Sequence, residues 1–153
     1  MAKRAKEIGY WVATALIATE TLAGGVVDLT HGRTNVFSGT PVVDVVTGLG
    51  YPVYILMVLG VWKLAGGIVL LVPGLPRLKE WAYAGIMFEL SGAIASYLLI
   101  GDTTGQFVAP LVLAALAMTS WALRPPSRIL GGLFPGTMRD LAASDGTPIP
   151  AVR

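Results

Sequence analysis

Apolar residues in this chain gather into four long blocks, each interrupted by at most two charges, with Gly, Pro and polar residues collected between them. The blocks run from Ile8 to Leu29, Val53 to Val72, Trp81 to Ile100 and Phe107 to Leu123. Each is close to the roughly 17 to 25 residues that a helix needs to cross a bilayer. The pattern predicts an all-α protein, a bundle of four transmembrane helices. The first block is too long for the apolar centre of a signal peptide and lacks a small-x-small cleavage site, so it is read as a helix. In the first connection, Thr40-Pro41-Val42-Val43-Asp44-Val45-Val46 predicts a short interfacial helix, with Thr40 as cap and Pro41 at its start. The connection from Pro73 to Lys79 holds two prolines and a glycine, which makes the second and third helices a tight antiparallel pair. Residues 1–123 then form the membrane domain, and residues 124–153, rich in Pro, Gly, Ser and Asp, a tail with little fixed structure.

Three ionisable residues fall near the centres of three separate blocks: Glu20, Lys63 and Glu89. A charge at the bilayer centre costs about 2.5 to 3.5 kcal/mol on insertion scales, so all three are expected to face the bundle interior. At 100° per residue, Glu20, Gly24, Asp28 and His31 share one stripe of the first helix, a polar track from mid-membrane to the outer surface. Lys63 shares a face with Gly60 and Gly67, and Glu89 with Ala82, Gly85, Ala93 and Ser96, small residues that allow close helix approach. Two carboxyls and one ammonium cannot neutralise one another. One of Glu20 and Glu89 is therefore expected to be protonated or to touch water or a ligand. Glu20, Lys63 and Glu89 are the candidate catalytic residues, and Asp28, His31, Trp62, Ser96 and Asp102 the candidate ligand contacts. Asp28, His31 and Asp102 lie at helix ends, where a polar residue needs no special role. The competing account of the centre is structural: a Lys bonded to Glu inside a bundle fixes helix register.

Composition agrees with a membrane protein, at 54% hydrophobic and 13% charged residues. Of the eleven basic residues, nine flank the blocks on one side, Arg33 alone lies on the other, and Lys63 is inside. This asymmetry predicts a multi-pass protein of the cytoplasmic membrane with both termini in the cytoplasm. The net charge of +2 then reports topology rather than nucleic-acid binding. With no cysteine and one histidine, the chain has no thiol nucleophile, disulfide relay, iron-sulfur ligand set or bis-histidine haem site of its own. Asp28 and His31 at i and i+3 offer at most two metal ligands, and no metal site is expected.

Several segments resemble the DoxX-like family of small four-helix membrane proteins: Leu49-Gly50-Tyr51-Pro52, Leu59-Gly60-Val61-Trp62-Lys63-Leu64-Ala65-Gly66, Leu78-Lys79-Glu80-Trp81-Ala82-Tyr83-Ala84-Gly85 and Gly101-Asp102. The likeness spans Ile8 to Leu123. In many relatives a Ser-His pair precedes the Gly-Asp, whereas here Ser96 is followed by Tyr97. The family takes its name from a subunit of a thiosulfate:quinone oxidoreductase, so the resemblance implies a quinone as ligand. Residues and resemblance together leave several functions open. One is a quinone-linked oxidoreductase subunit, or an intramembrane acid-base enzyme acting on an isoprenoid or other lipid, with Lys63 and the glutamates at work. Another is a proton-coupled carrier using Glu20, which with four helices needs a homo-oligomer. The last is a non-catalytic assembly partner for another membrane protein.

Overall fold

The computed structural model describes residues 2–33, 40–101 and 104–125, and the side chains from Arg4 onward. Five helices form among them: α1 (Ala2–Leu29), α2 (Val42–Gly48), α3 (Tyr54–Leu71), α4 (Pro76–Leu99) and α5 (Val108–Ala122). The predicted tail, apart from Arg124 and Pro125, lies outside the described residues, as does Asp102.

Local chemistry explains the boundaries. At the end of α1 the N–H of Gly32 reaches back to the carbonyl of Val27 at 2.9 Å, and His31 and Gly32 both take left-handed φ angles, 62° and 61°. That six-to-one bond closes a helix end of Schellman type, where glycine avoids the strain a side chain would meet. A Cβ on Gly32 would also lie 2.8 Å from the backbone nitrogen of Val43. The closeness lets Val43 donate to the Gly32 carbonyl and seats α2 on the end of α1. The predicted short helix is there, but its N-cap is Pro41 and no side chain caps it, so Thr40 does not have the expected role. Pro76 opens α4, where its missing N–H leaves no intrahelical bond unmade.

The long helices pack in a ring: α1 lies against α3 and α5, α3 against α4, and α4 against α5. Neighbours run antiparallel. Across α1 and α3, Gly25 meets Gly60 and Leu22 meets Gly67; across α1 and α5, Gly9 meets Leu123 and Thr14 meets Ser120. The buried apolar core is made by Ile17, Ala18, Leu70, Tyr83, Ile86, Leu90, Ala114 and Ala117. Three helices are long and apolar enough to cross a membrane, Arg4–Leu29, Tyr54–Leu71 and Pro76–Leu99. The expected fourth span forms as a helix of only 15 residues.

Two cations counted as topology signals are built into the bundle. Because α4 starts at Pro76, Lys79 lies in its first turns and is 1% exposed, donating to the Val69 and Leu70 carbonyls, the latter at 2.7 Å. It thereby caps the C-terminal end of α3, where orphan carbonyls favour a cation. Arg124, expected to begin the tail, is buried and ion-paired to Glu80 at 2.7 Å. Glu80 also accepts from Trp121 Nε1 at 3.0 Å, so one carboxylate ties α4 to the end of α5.

Candidate functional site

The polar centre is set by one helix crossing. Where α1 meets α3, neither Gly25 nor Gly60 has a side chain: a Cβ on Gly25 would lie 3.1 Å from the Gly60 carbonyl oxygen, and a Cβ on Gly60 would lie 3.0 Å from that of Gly25. Backbones this close bring Lys63, one turn along α3, against α1. Its Nζ lies 2.8 Å from Asp28 Oδ2 and 2.8 Å from Glu89 Oε1. Lys63 thus joins three helices through two carboxylates.

Asp28 is the deeper partner, 1% exposed, and Oδ2 has no hydrogen-bond partner beyond that ion-paired ammonium. Glu20 completes the centre from one side. A Cβ on Gly24 would stand 3.6 Å from Glu20 Oε1 and 3.6 Å from Lys63 Nζ, so the two charged atoms are at most 7.2 Å apart, twice that distance. Glu20 has no cation within ion-pair distance among the described residues. One ammonium therefore stands among three carboxyls. Among the described residues, no three His, Cys, Asp or Glu side chains are grouped to hold a metal ion.

Lys63 and Glu89 also form the polar floor of a groove of about 500 Å³ between α3 and α4. Small residues, Ala65, Gly66, Ala82 and Gly85, hollow out its walls. Trp62, Trp81 and Phe88 flare at its rim, 72%, 77% and 78% exposed on the side away from the bundle core. Thr21 reaches the groove from α1. Lys63 is the tenth of the 18 residues of α3, so the floor lies about 14 Å by helix rise from the Tyr54 end. The groove opens sideways at mid-helix depth.

Of the residues singled out from sequence, Glu20, Asp28, Lys63 and Glu89 come together, and Trp62 lines the same groove. Ser96 does not join them: its hydroxyl shares a hydrogen bond with Tyr51 at 2.8 Å and donates to the Gly92 carbonyl, tying the α2–α3 connection to α4. His31 is exposed at the end of α1. A second polar cluster had gone unremarked. The Ser120 hydroxyl meets Thr14 and Tyr83, each at 2.7 Å, with the Arg124 guanidinium 5.1 Å above the Tyr83 ring. Its sequence signal is slight, since single hydroxyls on three helices align only once the helices are packed.

A model of the DoxX-like family matches residues 12–120, from the middle of α1 to the last turns of α5. The chain belongs to the DoxX-like family. No curated protein and no solved structure matches it. Together with the three long apolar helices, membership makes this a membrane protein. The segments that carry the likeness have identifiable work in this DoxX-like bundle. Tyr51 bonds Ser96, Gly60 makes the α1 crossing, Lys63 holds the two carboxylates, Lys79 caps α3, Glu80 clasps Arg124, and Tyr83 joins the buried hydroxyls. All four members of the polar centre lie within the matched span.

Proposed function

We propose that this DoxX-like protein binds one lipid-like molecule in the α3–α4 groove, taken up laterally from the bilayer with its polar head against Lys63 and Glu89. The observation that carries this proposal is the groove itself: apolar walls and an aromatic rim that end on a half-buried ion pair. Pockets for small ligands characteristically combine apolar lining with a few convergent polar groups, and intramembrane ionisable residues mark such sites. The volume of about 500 Å³ suits a quinone ring or a short isoprenoid. Glu89, exposed on the groove side, is the acid-base candidate at the ligand, and Glu20 and Asp28 set the charge around Lys63. In this proposal the protein is a multi-pass component of the cytoplasmic membrane with both termini inside, and serves either as an enzyme or as the ligand-holding subunit of one.

A second reading rests on the rim. Trp62, Trp81 and Phe88 present a broad aromatic face above small residues, the kind of surface on which a partner helix packs in a membrane. One experiment separates the two. Native mass spectrometry of the gently extracted protein, with identification of what co-purifies, is compared with Gly85→Leu, which fills the groove at a position with open space around it. A bound small molecule that Gly85→Leu removes establishes the ligand site. A stoichiometric partner chain with no small molecule establishes the assembly role instead.

A further inference from the structure

The charge balance of the centre indicates what kind of head group the groove receives. Lys63 supplies one positive charge, and Asp28, Glu89 and Glu20 supply three carboxyls within reach of it. The ammonium is already ion-paired twice. Glu89 lines the groove and pairs with Lys63 through Oε1, whereas Asp28 Oδ2 is buried with no hydrogen-bond donor beyond the Lys63 ion pair. The centre behind the floor therefore holds more carboxyls than cations. With three carboxyls to one ammonium, the centre keeps a net negative charge even when one carboxyl is protonated, so an anionic head is disfavoured there. A cation is favoured by that net charge, with Glu89 the carboxyl that lines the groove and Lys63 opposing part of the attraction. Low local dielectric makes these differences larger than they would be in water.

We infer that the ligand of the α3–α4 groove is a lipophilic amine, its ammonium seated beside Glu89 and its hydrocarbon part along the apolar walls. The inference rests on the groove being a ligand site and names the class of molecule that enters it. The ammonium of a phospholipid head group is a poor candidate, because the floor lies about 14 Å by helix rise from the Tyr54 end of α3. A free amphiphilic amine, protonated at neutral pH as a lysine is, can bring its charge that deep.

The test uses the full-length protein in zwitterionic phosphatidylcholine nanodiscs, exposed to dodecylamine, dodecanol, dodecanoate and a decyl-substituted benzoquinone at equal membrane concentration, with occupancy read by native mass spectrometry. Dodecylamine is expected to exceed dodecanol about ten-fold in occupancy, and dodecanoate by more. Glu89→Gln and Glu20→Gln should each lower the amine-to-alcohol ratio several-fold. Glu20 is outside the groove lining, so its variant reports charge and not shape. Gly85→Leu should remove all binding. If the benzoquinone or the alcohol binds as well as the amine and Gly85→Leu abolishes it, the cationic head is refuted while the groove site stands. If Gly85→Leu changes nothing for any probe, the groove site itself fails, and the amine with it.

Discussion

Lys63 is the residue on which the centre depends, because among the described residues it is the only cation ion-paired to Asp28 and Glu89. Removing one partner from a buried charge pair costs about 3 to 5 kcal/mol, since the remaining charge is left uncompensated. Lys63→Met should therefore lower stability by about that much, whereas Glu20→Gln removes surplus negative charge and should leave it within about 0.5 kcal/mol of the parent, or raise it. Thermal melts in mild detergent compare the two; equal losses would mean that Glu20 makes a contact the fold requires. The sequence made Glu20, Lys63 and Glu89 legible because each interrupts an apolar block at mid-span. Asp28 was harder to rank. It stands near the end of the first block's polar track, three residues before His31, where a carboxylate needs no explanation, and only the helix crossing carries the Lys63 ammonium out to it. Lys79 and Arg124 were counted only as topology signals: their burial depends on the α3 carbonyls and on Glu80, which no linear pattern places beside them.

At the scale of elements, the α1–α3 crossing decides whether a site forms. A Cβ on Gly60 would lie 2.8 Å from Leu29 Cγ and 3.0 Å from the Gly25 carbonyl oxygen, and the backbone cannot give way without separating the helices. Gly60→Ala is expected to cost about 1 to 3 kcal/mol as an overpacking change. It should also loosen the Lys63–Asp28 pair, which belongs to the same two helices. Gly85→Ala enters open space and should cost under about 0.5 kcal/mol. Side-by-side melts of the two alanine variants check the contrast, and similar losses would rule out backbone contact as the reason for the glycine at position 60. Helix existence and the inward face of α3 were legible from periodicity, since Gly60 and Gly67 are both buried as expected. The extent of α5 was legible too, since the block Phe107 to Leu123 matches the helix Val108–Ala122 to one residue at each end.

For the whole molecule, the distribution of Lys and Arg remains the basis for orientation, and the chain's lack of cysteine makes it simple to test. Single-cysteine variants His31→Cys and Arg77→Cys lie at opposite ends of the bundle. In intact cells a membrane-impermeant maleimide should label the first directly and the second only after permeabilisation; the reverse pattern would invert the proposed topology. The unequal helix lengths carry a different consequence. Fifteen residues of α5 rise about 22 Å, against roughly 30 Å of hydrocarbon, while its neighbour α4 has 24 residues. A crossing by α5 would leave a hydrophobic mismatch on one flank only, met by thinning of the adjacent leaflets. Lipids around the protein would then meet a tall side and a short side, and the bundle would act on the surrounding bilayer as a wedge.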